Sequence, residues 1–185
     1  MGLFDFWKKD KKESPDLDPL HDLTLEKMKA GYLVDYDMRT WKVTARHRYD
    51  FDGENSLEWQ IEDGDQTWFL QREVDDEVYW SLSRKIPIGA IDGEIRKTII
   101  DNDDPPERIT YKGQTYYLEE SGAGYFFENS QGSGEGFVYW SFVDEAEKHY
   151  LTIEQWGETE FEASHGIAVE EYQFTNILPG GEDLS

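Results

Sequence analysis

The sequence predicts an all-β protein with one or two short helices, in which two pseudo-repeated antiparallel β-meanders pack as a sandwich or as partly open barrels. Three observations predict it. Short aromatic segments recur in order: Tyr36–Trp41 (YDMRTW) is echoed by Tyr111–Tyr116 (YKGQTY) at an offset of 75, and Trp59 by Trp140 and Phe69-Leu70 by Tyr150-Leu151 at an offset of 81. Each copy finishes on an aliphatic-Pro step, Ile86-Pro87 and Leu178-Pro179. Many short alternating runs are separated by turn residues, the pattern of meandering antiparallel sheets.

Composition sets the class. The chain has 185 residues, enough for one domain or two small packed ones, and its 15% aromatics argue for a folded core despite a net charge of -23. It contains no cysteine, which removes disulfide and thiolate chemistry. With no long apolar run and no signal peptide, the expected location is cytoplasmic, with membrane association through the N-terminus as the possible addition. From Gly113 to Ser185 there are 15 acidic residues against Lys148 alone. That field repels nucleic acid and anionic lipid and favours cations or a basic partner, although acidic residues also simply keep an aromatic-rich β protein soluble.

Residues 1–22 read as a separate segment and linker. Phe4, Phe6 and Trp7 precede Lys8, Lys9, Lys11 and Lys12, an arrangement suited to a membrane interface or to a groove on an integral membrane protein or other partner. The first meander half is expected over 23–100, a connector at 101–106 (DNDDPP), the second half over 107–180, and a tail over 181–185. A short helix should open at Asp22 or Thr24, present Leu25 and Met28, and stop at Gly31.

Period-two alternation then takes over. Trp41, Val43, Ala45, His47 and Tyr49 are expected on one strand face; Leu57, Trp59 and Ile61 are expected inward, with Glu58, Gln60 and Glu62 outward. Residues 88–100 read as a connector with one helical turn, because Gly89 and Gly93 weaken the helical spacing of the isoleucines. In the second half strands are expected near 108–111, 114–119, 124–128, 136–143, 149–156, 159–163 and 170–178.

At these motifs the chain resembles a known family. The Lys29-Ala30-Gly31 step into Val34-Asp35-Tyr36, Trp41-Lys42-Val43, Trp68-Phe69-Leu70, Gly113 through Leu118, Gly122-Ala123-Gly124, Tyr139-Trp140 and Leu151 through Gly157 resemble, in order over about residues 23–179, the bacterial domain of unknown function 4178. That family has no established activity. The resemblance implies a shared fold, and its common genomic neighbours, a small integral membrane protein and a polyamine aminopropyltransferase, imply a membrane-linked or polyamine-linked role.

Candidate chemistry is sparse. Trp156, Glu154 and Glu160 could cradle a polyamine through ion pairs and a cation–π contact, although the commoner reading of such residues is a solvated strand face with a cross-strand Trp. Glu154 and Glu160 as a glycosidase pair is the weaker thought, since 41 acidic residues make neighbouring carboxylates common by chance. Asp50 through Asn55 resembles a calcium loop without its bidentate Glu, and reads as a hairpin turn; Asp101 through Asp104 is no stronger. The four histidines are scattered, with His47 expected in the core. Ser121 and Ser164 lack the GxSxG elbow, and the glycines of QGSGEG (Gly132, Gly134, Gly136) lack a following helix.

No catalytic residue, metal site or cofactor is therefore expected. The leading expectation is a noncatalytic accessory or adaptor binding a protein or membrane partner through Phe4, Phe6, Trp7, Lys8 and Lys9. The alternative is a soluble polyamine or cation sensor using Trp156, Glu154 and Glu160, and the third reading is a carbohydrate-binding module with tryptophan platforms.

Overall fold

The computed structural model describes Asp18 and residues 22–180. Their strands are β1 (Leu33–Tyr36), β2 (Arg39–Phe51), β3 (Glu54–Asp63), β4 (Gln66–Val74), β5 (Val78–Ile86), β6 (Arg108–Tyr111), β7 (Gln114–Phe127), β8 (Glu135–Asp144), β9 (His149–Gln155), β10 (Phe161–Val169) and β11 (Thr175–Leu178), with one helix, α1 (Ile95–Asn102). The protein is all-β, as expected. All strands join one antiparallel sheet in the order β11-β1-β2-β3-β4-β5-β10-β9-β8-β7-β6.

Two junctions tie the meanders together. One is the long β5–β10 pairing, from Trp80 opposite Val169 to Ile86 opposite Ala163. The other is short: Arg48, Tyr49 and Asp50 of β2 pair with Phe127, Phe126 and Tyr125 of β7. That second pairing closes the eight strands β2-β3-β4-β5-β10-β9-β8-β7 into a ring, leaving β1, β11 and β6 as outriggers. Closure satisfies edge hydrogen bonds that an open sheet would present to other chains. It also needs a close backbone approach at Gly124, where a Cβ would stand 2.9 Å from the Phe51 ring and 3.1 Å from the Asp50 carbonyl oxygen.

Both long strands carry a bulge that makes the double pairing possible. In β2 the register runs Val43 opposite Ile61, then Ala45 opposite Gln60; in β7 it runs Leu118 opposite Phe142, then Glu120 opposite Ser141. One extra residue bends the strand and exchanges its faces. This overturns the expected single face from Trp41 to Tyr49. Trp41 and Val43 enter an apolar cluster, whereas His47 and Tyr49, past the bulge, turn to the inside of the ring. Likewise, the segments expected at 114–119 and 124–128 are one bulged strand.

Two apolar clusters lie on the other face of the ring strands. The first joins Trp41, Val43, Trp59, Ile61, Leu70 and Leu82 with Val34 of β1 and with Leu25 and Met28. The second joins Tyr116, Trp140, Phe142, Leu151 and Ile153 with Ile95 and Ile99 of α1. Each fully buried Leu or Ile in them contributes about 1.5–3 kcal/mol. In both, a central indole is tied to the segment that covers it: Trp59 Nε1 donates to the Met28 carbonyl at 2.9 Å, and Trp140 Nε1 donates to Asp104 Oδ1 at 3.0 Å.

Three local expectations change. The helix expected after Thr24 is a single 3-10 turn, Leu25–Lys27. Residues 95–102 form an eight-residue α-helix where one turn was expected; Gly93, at φ 97°, precedes the helix and so does not weaken it, and Ile95 and Ile99 share its buried face one turn apart. The strands expected at 159–163 and 170–178 are β10 and the shorter β11, because residues 171–173 form a 3-10 turn whose Gln173 side chain accepts from the Glu170 N–H at 2.7 Å.

Candidate functional site

The ring encloses a cavity of about 640 Å³, lined from all eight of its strands. Its wall comes from the strand faces opposite the two apolar clusters. On β3, Glu58 and Gln60 point into the cavity while Trp59 and Ile61 point to the first cluster; on β9, Thr152 and Glu154 point in while Leu151 and Ile153 point to the second. The expectation that Glu58 and Gln60 face outward is thus corrected. They face away from the apolar core, but the closed ring puts them indoors, and Glu58 is only 8% exposed. Lys85, Arg96, Glu128, Glu135, Thr159 and Glu160 line the cavity yet are exposed, and so mark its mouth.

One wall is aromatic. Trp156, just past β9, stacks on Phe137 with ring centroids 4.7 Å apart and meets Phe126 edge-on at 5.7 Å. Tyr49 packs against both, at 5.0 Å from Phe126 and 5.7 Å from Phe137. Trp156 is partly buried, not the exposed platform that a solvated strand would give. Its indole nitrogen is buried without a hydrogen-bond partner.

Beside it the lining is acidic. Glu162 of β10 stands directly opposite Glu154 of β9 in the ladder. Burial pushes the Glu58 carboxyl up to about 8, and the neighbouring Glu154 charge adds to the rise, while Lys85 and the Tyr49 hydroxyl pull it back. Burial and Glu162 push Glu154 up to about 7, with Lys85 and the nearby Trp156 indole offsetting part of it. Two carboxyls in one enclosed space cannot both ionise cheaply, since desolvation and mutual repulsion act in the same direction. His47, 5% exposed, accepts a hydrogen bond at Nδ1 from the Asn129 N–H at 3.0 Å, and burial lowers its pKa.

Of the residues named from sequence, Trp156, Glu154 and Glu160 all line this cavity, Glu160 at the mouth. Phe4, Phe6, Trp7, Lys8 and Lys9 lie outside the described residues. Sequence reasoning missed Glu58, Lys85 and Tyr49 as cavity residues. The signal is the alternation of Glu58 and Gln60 with Trp59 and Ile61, which faces solvent in an open sheet and the interior in a closed ring. The weaker candidates resolve as structural features: Asp50 Oδ1 accepts from the Gly53 N–H at 2.8 Å in a hairpin turn, and Asp104 holds Trp140. No group of three or more metal-ligating side chains occurs among the described residues. A separate polar group on the opposite face of β10 links Asp144 Oδ2 to His149 Nδ1 at 2.8 Å and His165 Nε2 to the Tyr116 hydroxyl at 3.2 Å.

The profile of the domain of unknown function DUF4178 matches residues 29–171, which takes in the whole ring of strands. The chain belongs to the DUF4178 family. An uncharacterized protein of Aquifex aeolicus (strain VF5) is 28% identical over 181 residues, covering 97% of this DUF4178 protein and 99% of the relative. No solved structure matches the chain. No helix among the described residues of this DUF4178 protein is long and apolar enough to cross a membrane.

Proposed function

We propose that this protein is a noncatalytic binding protein whose ring cavity takes a small organic cation of the alkylammonium class. The observation that carries the reading is the pairing of Glu58 and Glu154 inside an enclosed, largely acidic cavity with an aromatic wall. An ammonium ion placed there would offset the repulsion between the carboxylates and convert a costly desolvated charge into a hydrogen-bonded pair. Its methylene chain would meet Trp156, Phe126 and Tyr49, whose faces attract cations. A polyamine has both parts, charged nitrogens and apolar spacers. Lys85 and Arg96 at the mouth leave the wall net negative, with Glu58, Glu128, Glu135, Glu154, Glu160 and Glu162 against them.

A sugar-stacking surface is less well supported, because none of the six described tryptophans is exposed. Partner or membrane docking through residues 1–12 is compatible with a cation-filled ring, as an accessory role that the ligand could modulate.

Isothermal titration with spermidine at physiological salt tests the reading. The expected isotherm is saturable, with one site and a Kd on the order of micromolar, at an ionic strength where diffuse surface attraction is largely screened. Glu154→Gln and Trp156→Ala should each weaken it while circular dichroism stays unchanged. A flat trace with the folded parent protein overturns the proposal.

A further inference from the structure

The cavity already holds one ammonium group of its own. Lys85 Nζ donates to Glu162 Oε2 at 2.5 Å across the β5–β10 junction, and lies 5.7 Å from the centroid of the Phe69 ring. Both partners line the cavity. Its charge is felt at His47, Glu58 and Glu154, so it sits within electrostatic reach of the deep carboxyls as well as on the outer one. The lysine side chain is 57% exposed. A carboxylate beside an aromatic face is the same recognition that the cavity would offer a soluble primary amine, here satisfied by a side chain on a four-carbon tether.

We propose that Lys85 is a tethered stand-in for the ligand, seated on Glu162 and displaced from it when an alkylammonium ion enters the ring. This rests on the cation-binding reading of the cavity and adds a specific consequence: the protein competes with its own ligand. A half-exposed ion pair is worth little by itself, so the tether can be released without unfolding anything around it. An intramolecular competitor lowers apparent affinity by the fraction of time that it occupies the seat, and it favours ligands with more than one ammonium group, which gain a second contact deeper in the cavity. Arg96 provides the internal comparison. It lines the same mouth and carries the same charge, but its Nη2 donates to the Thr159 carbonyl at 2.8 Å and, among the described residues, it is seated on no carboxylate.

The experiment is titration calorimetry with n-butylammonium chloride and with spermidine on the full-length parent, Lys85→Met, Lys85→Gln, Lys85→Arg and Arg96→Met. Lys85→Met and Lys85→Gln should both bind butylammonium roughly 5- to 20-fold more tightly than the parent, as expected when an occupied seat is vacated. Lys85→Arg should stay within about twofold of the parent and Arg96→Met should change far less than Lys85→Met. The spermidine-to-butylammonium affinity ratio should shrink in Lys85→Met. Equal gains in Lys85→Met and Arg96→Met would show that Lys85 acts only as a charge and overturn the stand-in role while leaving the cavity reading in place. Parent-like or weaker binding in both Lys85→Met and Lys85→Gln overturns it as well. Silence from every protein, the parent included, removes the cation-binding reading and this proposal together.

Discussion

Glu58 and Trp59 are neighbours in the chain, both are buried, and they occupy opposite worlds. Trp59 is fully enclosed in the first apolar cluster, with Trp80 5.6 Å away and its one polar atom bonded to the Met28 carbonyl. Glu58 is enclosed by carboxylates, aromatic rings and a distant lysine. The same contrast repeats between Ile153 and Glu154. The apolar side of the ring wall supplies stability, because burial there removes hydrocarbon from water at about 25 cal/mol per Å². The inner side spends some of it, because desolvating a carboxylate without a full partner is unfavourable. The proposed alkylammonium ligand would offset that cost.

The largest effect that separates the two sides is Trp59→Ala. It should lower stability by about 3–5 kcal/mol in urea denaturation, since it empties the middle of the first cluster and orphans the Met28 carbonyl. A loss below about 1 kcal/mol would mean that the first cluster does not carry the fold.

Glu58→Gln should do the reverse. The folded-state pKa of about 8 lies above the unfolded value of 4.5, so the folded protein binds the extra proton. Stability contributed by that proton is fully present below pH 4.5 and is lost as the pH rises through about 8. The parent should therefore weaken between pH 5 and 9 relative to Glu58→Gln, by an amount on the order of 2 kcal/mol at the alkaline end, with the two proteins equal near pH 4. Thermal melts across this range check it; parallel curves would place Glu58 in water.

The smallest effect is a proton count. Near pH 7.5 the Glu58–Glu154 pair holds protons that an incoming ammonium would expel, so spermidine binding should release about one proton, and its affinity should rise with pH between 6 and 8. Calorimetry in buffers of different ionisation enthalpy reads this directly. Binding with no proton exchange would move the ligand away from the deep pair to the exposed carboxylates at the mouth.

Much of the fold was legible. The strand succession, the turn at Asp50–Gly53 and the candidate Trp156, Glu154 and Glu160 came from alternation and motif order, and the family from motif resemblance confirmed over residues 29–171. On β2 regular alternation through Thr44 would keep Trp41 to Tyr49 on one face, and the single residue inserted there reverses the faces of His47 and Tyr49. Nothing local marks that bulge. It is fixed by where β2 must leave β1 and reach β7, and its partners Phe126 and Phe127 lie more than 70 residues away.

The sequence by itself determined that strands would form and, within each regular stretch of strand, which side chains share a face. Only the tertiary structure decided which polar faces meet water. A period of two separates an apolar face from a polar one, because successive side chains point to opposite sides of the sheet. It carries no information on whether the polar side looks at solvent or across a ring at another polar side. Three residue pairs between β2 and β7 settle that, and turn a run that reads as surface into the inner wall of a charged cavity.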